Sequence, residues 1–148
     1  MAVLSGTETR LGALLACQRG IAALEFVVLA PALLMLVFAI IIYSIYFTAL
    51  MGVRQAAAEG ARAAVAGLSA AERDTLARAR AQAVVDTYGT LLGHGAAPVI
   101  TTAAIGTGAF AVTVSYDMSG APIMQYGGFV PLPTSNVQAT VTVTNGSY

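Results

Sequence analysis

Residues 26–53 read FVVLAPALLMLVFAIIIYSIYFTALMGV, 28 positions between Glu25 and Arg54 without a charged side chain. Sixteen of them are Leu, Ile, Val or Phe. As an α-helix the run measures about 42 Å at 1.5 Å per residue, against a hydrocarbon core about 30 Å thick. Each large apolar residue near the bilayer centre contributes roughly −0.3 to −0.6 kcal/mol, so insertion is favoured by about 5 kcal/mol or more. The surplus length allows tilt or an extension past the interface. Tyr43, Tyr46 and Phe47 cluster toward the outer end, where interfacial aromatics sit. A buried core helix is the other reading of such a run. It would need apolar partners on all sides, and no other segment of the chain supplies them. Pro31 removes the bond to the Val27 carbonyl, which predicts a kink or loosening that sets residues 21–30 apart from the main span.

The rest of the composition agrees with a membrane chain. Of 148 residues 57% are hydrophobic and 9% charged, where soluble domains carry roughly 25% charged residues. Seven Arg balance seven Asp plus Glu, with no Lys. Such balance lacks the basic excess that phosphate neutralisation requires, which argues against a nucleic-acid partner. High hydrophobicity argues against disorder. One Cys excludes an intramolecular disulfide and a multi-cysteine metal site. The only histidine, His94, lies between Gly93 and Gly95 and reads as a solvated loop residue. Gly106-Thr107-Gly108 is too short for a phosphate-binding loop and lacks its strand–helix setting. No nucleophile–base pair is legible, so the expectation is no enzyme, no cofactor, no metal and no small-molecule substrate.

On the N-terminal side, residues 1–20 are short and mixed, with Glu8, Arg10 and Arg19. A secretory signal places its apolar stretch before the small-residue cleavage site, whereas here the apolar run follows it. Leu14-Leu15-Ala16-Cys17 has the form of a lipoprotein box, but Glu8 and Arg10 interrupt the apolar region that such a box needs upstream.

The junction Gln18-Arg19-Gly20-Ile21-Ala22-Ala23-Leu24-Glu25-Phe26 joins a basic residue, a glycine, four apolar or small residues, a glutamate and an aromatic to the apolar run. It resembles the processing site of type IV pilin-like precursors, and more closely that of the TadE-like pseudopilins of tight-adherence (type IVb/Flp) pilus systems. Residues 54–64, RQAAAEGARAA, are similar to the Ala-rich stretch that follows the membrane helix in that family. The resemblance covers about residues 19–64 and is loose beyond them. It implies a leader over residues 1–20, cut after Gly20 by a prepilin peptidase on the cytoplasmic side. Ile21 would then be the new N-terminus, Glu25 the glutamate fifth in the mature chain, and Phe26 the aromatic that follows it. It also implies a minor pilin of the bacterial inner membrane, its C-terminal body outward, with other pilin or pseudopilin subunits and the pilus-assembly machinery as partners. Incorporation into an extracellular pilus, in adhesion and biofilm formation, follows from the same likeness. Arg10 and Arg19 precede the span and Arg54 and Arg62 follow it, so positive-inside counting does not orient the chain.

Elementary electrostatics gives Glu25 a reason. An acid at the edge of an apolar helix is expensive without a partner. Cleavage would free the Ile21 amine, which has a pKa near 8 and is mostly cationic at neutral pH. Glu25 could meet that amine on its own chain or on a stacked neighbour. The plainer reading is that Glu25 marks the membrane boundary among the head groups.

Downstream, Gly52, Ala56, Gly60 and Ala64 recur every fourth residue and form a small-residue stripe that admits a close helix neighbour. That neighbour is either another subunit or the chain's own second helix or sheet. The transmembrane and stalk helix is expected over residues 21–66. Ser69-Ala70-Ala71-Glu72 is a capping-box signature for a second helix running to about Tyr88, within a segment of helix and turn over residues 67–95. Its modest apolar side is expected to hold Leu76, Ala79, Ala83 and Val84. Residues 96–148 should form a small β-rich body. Phe110, Val112, Val114, Tyr116 and Met118 alternate with more polar neighbours, as do Val137, Ala139, Val141 and Val143, and residues 98–104 form a weaker third strand. Residues 119–136, with three Pro and three Gly, read as a long connection. The fold class is α+β: a single N-terminal transmembrane and stalk helix, a second helix and a small antiparallel sheet resting on helix. The alternative function is an unprocessed single-span anchor whose outward body binds an envelope or secretion-system partner.

Overall fold

The computed structural model describes residues 18–92, 97–106, 108–128, 130–131 and 134–144. Most of the proposed leader, the Leu14–Cys17 box, His94 and Thr107 lie outside them. Two helices, α1 (Gln18–Ala64) and α2 (Ala70–Leu92), precede three strands, β1 (Val99–Ile105), β2 (Ala109–Asp117) and β3 (Asn136–Thr144). A 3₁₀ turn, Pro122–Tyr126, lies between β2 and β3. The class is α+β, as the alternation of apolar residues predicts. By internal contacts the chain divides into two compact units, Met1–Ile40 and Ile41–Tyr148.

α1 runs unbroken through Pro31, so no helix boundary separates residues 21–30 from the main span. Proline deletes a single N–H donor, and the helix continues past it. The helix ends two residues before the expected boundary. The Val65, Ala66 and Gly67 amides donate to carbonyls three residues back, those of Arg62, Ala63 and Ala64, at 3.1–3.3 Å, the tightened last turn common at helix ends. Gly67 is required there: a Cβ would lie 2.7 Å from Arg73 Cγ and 2.8 Å from its backbone nitrogen. Arg73 Nε donates to the Gly67 carbonyl at 2.9 Å and closes the turn.

The cap of α2 follows its signature with one shift. The Glu72 amide donates to Ser69 Oγ at 3.2 Å, while Glu72 Oε2 accepts from the Leu68 amide at 2.9 Å rather than from Ser69. Two donors at the helix entry are thereby satisfied. The helix continues through Gly89 to Leu92.

The sheet is antiparallel in the order β1-β2-β3. Val112 pairs with Thr102 on one side and Val141 on the other. Phe110, Val112, Val114 and Tyr116 project to one face and are buried, with Met118 just beyond the strand. The opposite face carries Thr101, Thr113, Thr140 and Thr142, and the Thr113 and Thr140 hydroxyls hydrogen-bond across it at 2.8 Å. Gly106 and Gly108, both at positive φ (+54° and +97°), turn β1 into β2.

The apolar side of α2 is shifted from the sequence expectation. Ala77, Ala81, Val84 and Val85 are buried, whereas Ala79 and Ala83 are exposed and Leu76 is half-buried. Close backbone approach selects the face with the smallest side chains, not the one with the largest apolar residue.

Candidate functional site

Every large apolar residue from Ile21 to Ile40 is exposed, Phe26 at 70% and Val37 at 47%. The chain has one helix long and apolar enough to cross a membrane among the described residues. Only 6% of its most apolar window is buried, so it is not a core helix of its own fold. Residues 21–40 measure about 30 Å as helix, the thickness of a hydrocarbon core.

From residue 41 onward the same helix belongs to the second unit. Ile42, Ala49 and Val53 are 3%, 1% and 1% exposed. Tyr43 donates from its hydroxyl to the Pro131 carbonyl at 2.7 Å. The charge-free run therefore has two parts in sequence: a lipid-length segment, then a segment with one side, Ile42, Ala49 and Val53, buried within the second unit. The signal lay in composition, since Leu, Val and Phe dominate the first half while Tyr, Ser, Thr and Gly enter the second.

The expected processing and pairing residues occupy the start of α1. Gly20 and Ile21 are both within the helix, and Ile21 is a peptide amide there. Glu25 and Phe26 are exposed. Ile21 and Glu25 are four residues apart, which puts them on one face a turn apart. Among the described residues Glu25 forms no salt bridge.

The small-residue stripe is closed within the chain. Gly52, Ala56, Gly60 and Ala64 are all buried. A Cβ on Gly60 would sit 2.9 Å from the Ala77 carbonyl oxygen, 3.1 Å from Ala81 Cβ and 3.3 Å from Val112 Cγ1. This is the meeting point of α1, α2 and the sheet. A Cβ on Gly52 would meet only the Tyr88 ring, at 3.1–3.4 Å, and that ring is held by its hydroxyl's 2.7 Å bond to Gln55 Oε1. Of the two neighbours open to the stripe, its own second helix and sheet occupy these positions.

Two polar clasps complete the unit. Glu59 accepts from Arg62 at 2.9 Å and from Arg80 at 3.4 Å, linking α1 to α2. Arg78 donates to Asp74 Oδ1 at 2.7 Å and to the Ile100 carbonyl at 2.5 Å, linking α2 to β1. The Thr102 hydroxyl also donates to Asp74. The hydrogen bonds from Thr102 and then Arg78, with the Arg78 charge, outweigh desolvation and hold the Asp74 carboxyl below the usual carboxylate range. A depressed folded-state pKa contributes stability that is present above the unfolded pKa, near 3.9, and is lost as pH falls through the folded value. Asp74→Asn is expected to flatten the fall in urea midpoint between neutral and acidic pH, measured on the full chain in detergent. An unchanged slope would show that the clasp carries no such linkage.

Among the described residues no group of three or more His, Cys, Asp or Glu could hold a metal ion. The grooves on this unit are shallow. One, lined by Gln55, Arg80, Val84, Thr87 and Tyr88, lies between α1 and α2 and gathers no reactive set.

Residues 20–62 match the family model described as TadE-like protein. The match begins at Gly20 and ends at Arg62, and so covers the expected processing junction, the lipid-length segment and most of the small-residue stripe. No curated protein and no solved structure matches the chain.

Proposed function

We propose, from the premise that residues 20–62 are a TadE-like segment, that this chain is a minor pilin or pseudopilin of a tight-adherence pilus system. It enters the bacterial inner membrane through residues 21–40 with its N-terminus cytoplasmic and its body outward. A prepilin peptidase cuts after Gly20, and the mature chain contributes to pilus assembly as a non-catalytic subunit. The observation that carries the reading is the coincidence, at the start of an exposed apolar helix of bilayer length, of Gly20, Ile21 and an exposed Glu25.

The mechanism is lateral. An apolar helix in lipid gains little hydrophobic energy from meeting another helix, so association relies on packing and on polar groups that need partners. Before cleavage residue 21 offers only an amide. After cleavage its ammonium is a cation one helical turn from Glu25. The stripe, used within the chain, leaves the residue 21–40 surface as the one available for helix–helix contact in this reading.

N-terminal analysis and intact mass of the membrane-extracted protein are expected to show a chain beginning at Ile21. A chain retaining residues 1–20 in cells with active prepilin peptidase would support the second reading, an unprocessed anchor whose body binds an envelope partner.

A further inference from the structure

We infer that β3 offers its outer edge to a second copy of this chain: two β3 strands pair antiparallel about Thr140 and join two three-stranded sheets into one. The pairing involves the second unit alone and stands whether or not the chain is a pilin.

One backbone bond fixes which groups of β3 face outward. The Met118 amide donates to the Ser135 carbonyl at 2.8 Å, one step past the Asp117–Asn136 pair of the ladder. Bonded and non-bonded pairs alternate along an antiparallel ladder. Val137, Ala139, Val141 and Val143 therefore turn their backbone groups toward β2, and Gln138, Thr140 and Thr142 turn theirs to the outer edge. The same alternation carried across β2 aims the backbone of Ile100 and Thr102 outward from β1, and the Ile100 carbonyl accepts Arg78 Nη1 at 2.5 Å.

The two edges of the sheet differ in protection. On β1, Arg78 of α2 holds the Ile100 carbonyl, and the Thr102 hydroxyl donates to Asp74. On β3 the Asn136 carbonyl accepts the Thr134 hydroxyl at 3.4 Å. Among the described residues the outward backbone groups of Gln138, Thr140 and Thr142 have no hydrogen-bond partner. The strand also lacks the lysine, proline or inward-pointing charge that blunts an edge.

The sequence of β3, NVQATVTVT, is self-complementary. Pairing the whole strand with its copy puts Thr140 on the two-fold axis, Gln138 opposite Thr142 and Ala139 opposite Val141. Polar residues then meet polar ones on the threonine face, apolar residues meet apolar ones on the other, and no like charges oppose. Ala139, Val141 and Val143 are only half-buried, whereas Val112 and Val114 on the same face of β2 are fully buried. A neighbouring strand covers what the body leaves open there. A single strand edge buries less than the roughly 1,200 Å² of stable complexes, so the pairing is reversible.

Cys17 is the only cysteine, so the full chain carrying Cys17→Ser accepts single reporters. Thr140→Cys and Thr101→Cys, both at exposed positions on the threonine face, are oxidised mildly in detergent at equal protein concentration. Opposed strand residues bring their Cα atoms to about 5.5 Å, within disulfide range, so Thr140→Cys is expected to form the intermolecular disulfide about tenfold faster than Thr101→Cys. Equal rates overturn the pairing. Energy transfer between labelled full chains gives a second measurement. Thr140→Lys and Thr140→Glu, each alone, are expected to weaken self-association about fivefold by setting like charges opposite one another, and their mixture to recover it. Association that neither variant weakens, or a loss that mixing does not recover, overturns the pairing. Neither measurement depends on removal of residues 1–20, so a failure here leaves the pilin reading untouched.

Discussion

Glu25→Ala is expected to leave membrane insertion unchanged and to remove the chain from assembled pili. Insertion depends on residues 21–40, and deleting an acid makes that segment more apolar, not less. Assembly is different if Glu25 pairs with an Ile21 ammonium. Breaking a desolvated ion pair by removing one partner costs about 3–5 kcal/mol, because the other charge is left behind. At about 1.4 kcal/mol per factor of ten, that lowers an association constant by roughly two to three orders of magnitude. Membrane fractionation and quantification of the subunit in sheared pili give the two halves of the test. Glu25→Asp, which keeps the charge on a shorter arm, should recover part of the incorporation. Normal incorporation of Glu25→Ala would return Glu25 to the plainer role of a boundary residue among head groups.

The second large effect is expected at Gly60. Gly60→Ala and Gly52→Ala both gain about 1 kcal/mol of helix propensity, so the difference between them isolates what each new Cβ meets. At Gly60 it meets a backbone carbonyl at 2.9 Å and Ala81 at 3.1 Å. Neither can move without shifting α2. Overpacking of that kind costs about 1–3 kcal/mol, which offsets or exceeds the propensity gain. At Gly52 the obstacle is the Tyr88 ring, which can swing at the expense of its bond to Gln55. Gly52→Ala is therefore expected to be near neutral and Gly60→Ala destabilising. Gly60→Leu, with three more carbons at the junction of both helices and β2, is expected to cost several kcal/mol out of a typical total of about 5–15 kcal/mol. Urea midpoints of the full chain in detergent rank the three. Equal midpoints for Gly52→Ala and Gly60→Leu would mean that the contact at Gly60 does not limit packing.

These predictions differ in how far they can be read from the chain alone. Glu25 stands out in one dimension, since a single acid bordering 28 uncharged residues is conspicuous wherever the helix goes. The strands were equally legible. Alternation placed Phe110, Val112, Val114, Tyr116 and Met118 on one face, and all five are buried. The Ser69–Glu72 cap was legible as a local pattern, apart from the donor that Glu72 accepts. The face of α2 was not. Leu76 and Ala79 looked like the apolar side, but Ala77 and Ala81 are buried because they allow α2 to approach Gly60. Such a choice depends on the shape of a partner that is distant in sequence. The Tyr43–Pro131 bond, across 88 positions, left no local trace at all.

What the sequence determined by itself is whatever arises from neighbours along the chain: the bilayer-length apolar segment, the cap and the period-two strands. Hydrophobicity, capping and alternation act over a few residues, so they are written where they operate. Only the tertiary structure decided where the lipid-length surface stops. Residues 26–40 and 41–53 are alike in lacking charge, yet every large apolar residue of the first is exposed and the second include Ile42, Ala49 and Val53, almost wholly buried. Burial depends on which distant side chains come to cover a surface. An apolar run records only that water is disfavoured there, not whether lipid or protein replaces it.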